Sequence, residues 1–426
     1  MQRNLPLFLL FFALLNHGFA QEFAQVATGA GYQNQAFYRL SDNNVAQLPN
    51  ESWDLAFSMT GQFNVGIAIN ESTTSITGAP AAELVIYQTS LRDFSVAVDS
   101  THLAGRILND ESSWAEGGAL SLVANPADPF DFGWGSYSPV THTLSGTRVF
   151  AAKLRDGSFK KFIVSSFAGN TFTLKYANFD GSDEKTVAIN RGDYPENVLV
   201  FFSFSTGEVL APIGTWDLMF GRYLTKLDDG EGNILDYPVT GVLSNGMIEA
   251  VKLQGVNPAT VNYTEYLDSF STRLDVIGHD WKAFSFTQGW VIPQDLVFFA
   301  KTPSNEVYKL VFVDFEGSST GVSTIEKTAL GILSSSRNLQ SSFKEASVFP
   351  NPVVDQSTVV FTAERSYAQL PLVIRDLSGR ILWQAAVRAD EGLNAIAIPA
   401  LPLAPGMYFL SVGLPQDQFT LKFIKQ

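Results

Sequence analysis

Of the side chains that most often hold a metal, relay a proton or attack a substrate, this chain has few histidines. It has no cysteine, which removes disulfides, thiolate metal sites, cysteine nucleophiles and the acylated cysteine of a lipoprotein. There is no His-Glu-x-x-His pair, no Gly-x-Ser-x-Gly elbow and no glycine loop cradling phosphate ahead of a helix. A carboxylate pair for glycoside hydrolysis leaves no local signature, because its members come from distant parts of the chain. Nothing here selects such a pair. The expectation is therefore a binding or structural protein and not an enzyme, with a hydrolase of unrecognised site as an alternative. One loop gathers oxygen donors, Asp228-Asp229-Gly230-Glu231-Gly232-Asn233, and makes Asp228, Asp229 and Glu231 calcium candidates. It lacks the ligand spacing and terminal bidentate glutamate of an EF-hand, so a solvated hairpin tip is the competing reading. Arg191-Gly192-Asp193 matches an adhesion tripeptide but falls in a connection, where it reads as incidental.

The elements that must carry these residues read as strands. Thr171-Phe172-Thr173-Leu174-Lys175-Tyr176 and Val307-Tyr308-Lys309-Leu310-Val311-Phe312 alternate with period two, as half-buried antiparallel strands do. Asp156-Gly157 and Ser304-Asn305 lie between such runs and suit tight hairpin turns. The fold class is all-β. Net charge is −14, which repels phosphate backbones, so no nucleic-acid partner is expected.

An internal repeat sets the organisation. Ala36-Phe37-Tyr38-Arg39-Leu40 precedes Trp53-Asp54-Leu55-Ala56-Phe57, and Val200-Phe201-Phe202-Ser203-Phe204 precedes Trp216-Asp217-Leu218-Met219-Phe220 at nearly the same spacing. Trp53, Leu55 and Phe57 would share one face of a core strand, with Asp54 on the other. Two tandem antiparallel β modules are expected, 21–192 and 193–332. A single large sheet built from both halves is the other arrangement. A polar linker follows over 333–346, and a small Ig-like β-sandwich over 347–426.

At the start, Arg3, the apolar run Leu5–Leu15 and Gly18-Phe19-Ala20 describe a secretory signal peptide over 1–20, leaving no transmembrane helix in the mature chain. The tail carries five ordered blocks: Pro350-Asn351-Pro352, Asp376 with Gly379-Arg380, Gly392-Leu393-Asn394, Gly406 with Tyr408, and Lys422 to Lys425. Together they resemble the type A C-terminal sorting domain of type IX secretion cargo. The resemblance implies a Bacteroidota protein passed by the Sec translocon into the periplasm and then by the type IX machinery to the outer cell surface. There it is attached to lipopolysaccharide or released. Asp99-Ser100-Thr101 resembles an O-glycosylation acceptor of that phylum.

The body has a resemblance of its own. Phe37-Tyr38-Arg39-Leu40, Trp53-Asp54-Leu55, Trp134-Gly135-Ser136-Tyr137, Thr141-His142 and Val149-Phe150-Ala151-Ala152-Lys153 look like the HmuY haemophore family. So do Trp216-Asp217-Leu218 and the run from Tyr237 to Asn245. The family implies an all-β fold, and some members carry haem between two axial side chains. Haem iron takes imidazole or thioether ligands facing each other. In the first module those are His142 paired with His102 or Met59. The second has His279 in Gly278-His279-Asp280-Trp281. The main expectation is therefore a secreted or cell-surface binding or structural protein with its ligand unassigned, and a haem-binding protein is the alternative.

Overall fold

The structure, a computed structural model, describes residues 21–426 except 62–63, 75–82, 212–213, 333–342, 352, 355, 377–379, 415–416 and 426. The expected signal peptide lies outside the described residues, as do Pro352 and Gly379 of the tail motif. The fold is all-β, built from antiparallel sheets, and its helical elements are short 3-10 turns such as Ser100–His102 and Tyr263–Ser269. By contacts the chain divides into two units. One comprises the described residues of 1–47, 217–220 and 241–332; the other comprises those of 48–216, 221–240 and 333–426.

The first unit centres on a five-stranded sheet. Its order is Gln21–Ala27, Val322–Ile332, Glu306–Phe315, Leu296–Lys301, Glu249–Gln254. Its core gathers Tyr38, Leu218, Phe220, Trp281, Phe298, Phe312 and Ile325. In the second unit an eight-stranded sheet contains Phe159–Ala168 and Thr171–Asn178. In the latter strand Phe172, Leu174 and Tyr176 are buried between half-buried Thr171, Thr173 and Lys175, as period two requires. Phe57, Trp134, Phe150, Phe162, Phe172 and Phe202 meet in its core. Both expected turns carry left-handed residues, Gly157 at φ 84° and Asn305 at φ 62°.

The expected boundary at 192/193 is not where the strands part. Leu199–Phe202 lies beyond it, yet it pairs with Leu55–Ser58, Phe202 opposite Leu55. Asn34–Tyr38 lies before it, yet it pairs with Leu218–Asp228, Tyr38 opposite Leu218. Each copy of the repeat therefore lends its aromatic strand to the Trp-Asp-Leu strand of the other copy. Strands of similar pattern offer similar partners, so exchange buries apolar surface as self-pairing would, as in domain swapping. The repeat shows which strands pair in kind; only tertiary structure shows which copies do.

The tail forms its own sandwich inside the second unit. Phe343–Phe349, Ser357–Ala363 and Gly392–Ile398 make one sheet. Ile381–Ala389, Tyr367–Arg375, Gly406–Leu414 and Asp417–Lys425 make the other. The core between them holds Phe343, Val359, Phe361, Leu372, Ile374, Leu410 and Phe423. The linker expected to reach 346 gives way at Phe343, because that ring is buried in the tail's core against Phe361 and Phe419.

Candidate functional site

The repeated aspartates are structural latches. Asp54 is buried; its carboxylate accepts the backbone N–H of Phe204 at 2.7 Å and the Arg155 guanidinium at 2.5 Å. Arg155 also donates to the Trp53 carbonyl at 3.0 Å. Asp217 does the equivalent task, accepting the N–H of Leu40 at 2.7 Å. The surrounding backbone repeats as well: Asp54 donates to Phe202 and Asp217 to Tyr38, while Asn70 and Asn245 donate back to the two aspartates. Burial pushes both carboxyls above the usual range, opposed at Asp54 by Arg155 and at Asp217 by the Leu40 N–H. Each aspartate ties down the residue just past a borrowed strand.

The haem candidates sit on separate elements. Met59 follows Leu55–Ser58 and is buried in the core. Nδ1 of His102 accepts the Asp99 N–H at 3.2 Å inside a capping box. His142 occupies a left-handed turn position at φ 53° between Gly135–Ser138 and Thr143–Gly146. Its Nδ1 lies 2.9 Å from the Tyr137 hydroxyl. Tyr137 in turn lines an apolar cleft of about 990 Å³ with Val65, Phe130, Phe132 and, from the tail, Phe349. The partner that the structure brings to His142 is thus a phenol, which neighbouring sequence positions alone did not single out.

The acidic loop is closed on itself. Asp228 accepts the N–H of Gly230 at 2.8 Å, and Asp229 accepts those of Glu231 at 2.8 Å and Asn233 at 3.1 Å. Among the described residues no group of three or more His, Cys, Asp or Glu side chains is placed to hold a metal ion. Asp228, Asp229 and Glu231 thus lie at a hairpin tip in which the Asp228 and Asp229 carboxylates cap the loop's own backbone. Arg191 of the adhesion tripeptide is buried, donating to the Ser58 and Gly61 carbonyls with its guanidinium over Phe167.

In the tail, the motif residues fasten turns and ends. Asn351 accepts the Ile424 N–H at 2.8 Å across 73 positions, and Lys425 donates to the Val354 carbonyl. Asp376 accepts both the N–H and the Nε of Arg380, at 3.1 and 3.0 Å, tying the end of Tyr367–Arg375 to the start of Ile381–Ala389. Tyr408 donates to the Ala404 carbonyl at 2.7 Å and stacks on Phe423. Gly406 and Lys422 lie in the closing hairpin, opposite Lys425 and Phe409. Pro350 follows the first strand directly.

One surface feature escaped the sequence reading. The hairpin Ala283–Ser285/Gly289–Val291 projects Phe286 wholly into solvent, with Phe284 57% and Trp290 36% exposed. Phe284 meets Phe286 and Trp290 edge to face, at interplanar angles of 84° and 70°. The Trp290 indole lies so close over Gly317 that a Cβ there would sit 2.5 Å from its Nε1. At the base Lys282 is buried, its ammonium 4.1 Å from the Trp281 ring centre and 4.7 Å from that of Phe315. Burial pulls its amine down to about 7. The signal was legible in principle: 283–291 holds three aromatics and no charge.

These observations define an all-β body joined to a small clamped sandwich. Residues 347–426 match the secretion system C-terminal sorting domain family. The chain thus carries a type IX sorting tail and is a secreted or cell-surface protein exported through that system. No curated protein matches the sequence. Among solved structures, dimeric latent PorU from Porphyromonas gingivalis is similar at 12% identity and a TM-score of 0.18, over 67% of this chain and 31% of that one. A biofilm-associated protein BSP domain is similar at 11% identity and a TM-score of 0.15, over 88% and 67%.

Proposed function

We propose that the exported chain is a non-enzymatic binding protein, HmuY-like in its residue pattern, that touches an apolar partner through the 283–291 hairpin. The observation that carries this is Phe286, fully exposed beside Phe284 and Trp290 on a segment without charge. Contiguous exposed apolar surface marks contact sites, and this one has no charge to strip of water on docking. Edge-to-face rings form a knob, suited to entering a bilayer interface, and not a flat platform on which a sugar ring would stack. An acidic chain favours zwitterionic over anionic lipid for the test. The mature chain should co-sediment with phosphatidylcholine vesicles and show a blue-shifted tryptophan emission. Burying a phenylalanine is worth about 1.5–3 kcal/mol, so Phe286→Ser should weaken binding roughly tenfold or more. Equal sedimentation of Phe286→Ser and the parent, or none of either, would dismiss the hairpin as the contact.

Haem is the second reading, favoured by the Tyr137–His142 pair beside the apolar cleft. Phenolate and imidazole are both iron ligands, and the cleft is of cofactor size. Hemin added to the full chain should give a Soret shift that His142→Ala abolishes; a shift indifferent to His142 and Tyr137 rejects this pair.

A further inference from the structure

The first unit contains a buried lysine held against a carboxamide, with a carboxylate bridging both. Lys327 lies on Val322–Ile332 directly opposite Glu22 on Gln21–Ala27. Its side chain is 1% exposed and flanked by the Tyr38 and Tyr308 rings, 5.8 and 5.4 Å from their centres. Nζ is 2.7 Å from Oδ1 of Asn43 and 2.8 Å from Oε1 of Glu22, and it also donates to the Leu40 carbonyl. The other Glu22 oxygen accepts Nδ2 of Asn43 at 3.0 Å, closing the triangle. The buried Tyr38 hydroxyl donates to Oδ1 of Asn43 at 2.6 Å. Asn43 is held in the left-handed region at φ 58°, which asparagine tolerates better than most residues.

We propose that Lys327 and Asn43 join in an intramolecular isopeptide bond. A carbonyl bond of about 1.23 Å places Cγ of Asn43 no more than about 3.9 Å from Nζ, close to the contact from which bonds form. The ion pair first becomes amine and acid as one Nζ proton passes to Glu22. The Nζ lone pair then attacks Cγ, and the charge that gathers on Oδ1 is met by the Tyr38 hydroxyl. Glu22 touches both nitrogens and relays the two protons lost by Nζ to Nδ2. The Cγ–Nδ2 bond breaks, its electron pair goes to nitrogen, and ammonium departs. An amide remains, the carboxylate is regenerated, and no oxidant or co-reactant is consumed.

The bond has a structural use that the strand exchange creates. Residues 21–47 are separated in sequence from the rest of the unit they complete, and are held there by strand pairing and side-chain contacts. With no cysteine available, a crosslink from 43 to 327 would be the covalent fastening open to this chain.

Intact mass of the purified mature chain tests this without any variant. The expected value is lower by one ammonia, and digestion yields one branched peptide joining the segments around Asn43 and Lys327. Cyclisation of a terminal Gln21 also releases ammonia, so the branched peptide and not the mass alone decides. Lys327→Arg should abolish the branched peptide, as should Glu22→Ala. Absence of the branched peptide from the parent overturns the proposal; its persistence in Glu22→Ala overturns the role given to Glu22.

Discussion

At the scale of single residues, the polar groups that matter most lie inside. Glu71 is buried, accepting the Asn109 N–H at 2.7 Å and that of Leu224 at 3.4 Å. Burial outweighs those bonds and lifts its carboxyl from 4.5 to about 7. The folded chain therefore keeps a proton that the unfolded chain releases. Stability present below the unfolded value is lost as pH rises through about 7, and then levels off. At about 1.4 kcal/mol per pKa unit the loss comes to roughly 3 kcal/mol. Glu71→Gln keeps the shape in its uncharged form. Its urea midpoint should stay flatter from about pH 5 to pH 8 while the parent declines, and parallel curves would contradict the assignment. No local pattern marks Glu71, because its burial depends on Asn109 and Leu224, far along the chain.

At the scale of elements, the two Trp-Asp-Leu strands do the same job with different reinforcement. Asp217→Ala leaves the Leu40 N–H without its carboxylate, a loss of about 1–3 kcal/mol for a buried donor. Asp54→Ala strips Phe204 of the same support and also leaves Arg155 facing a site without its counter-charge, which costs about 3–5 kcal/mol. Chemical denaturation should therefore rank Asp54→Ala as the more damaging. The reverse order would show that Arg155 finds other partners. Sequence periodicity was a sound guide to these strands where one face meets a core, as in Thr171–Asn178 and Ser357–Ala363. It was mute on Leu55–Ser58, where all four residues are buried and Asp54 just before them is buried too.

At the scale of the whole molecule, an exported chain without cysteine depends on core packing and on tying remote segments together. The three apolar clusters are rich in aromatic rings, and the tail's cluster is separate from those of the body. That separateness suits a sorting tail, whose clamps at Asn351, Asp376 and Tyr408 act within its own sandwich. The body is organised differently, since its first unit pairs the body's opening strand, Gln21–Ala27, with the body's last, Val322–Ile332.

What the sequence by itself determined is local or ordered along the chain: the strand class from period two, the turns from glycine and asparagine, and the tail from five blocks in order. Each rests on residues a few positions apart, or on blocks that need only follow one another. Tertiary structure alone decided the exchange of strands between repeat copies, since similar partners leave similar sequence patterns. It also decided the burial of Glu71, the pairing of His142 with Tyr137, and the exposure of Phe286. The meeting of Lys327 with Asn43 is the extreme case. These residues are 284 positions apart, and no local pattern can encode a contact that exists only once the turn after Asn34–Tyr38 packs against Val322–Ile332.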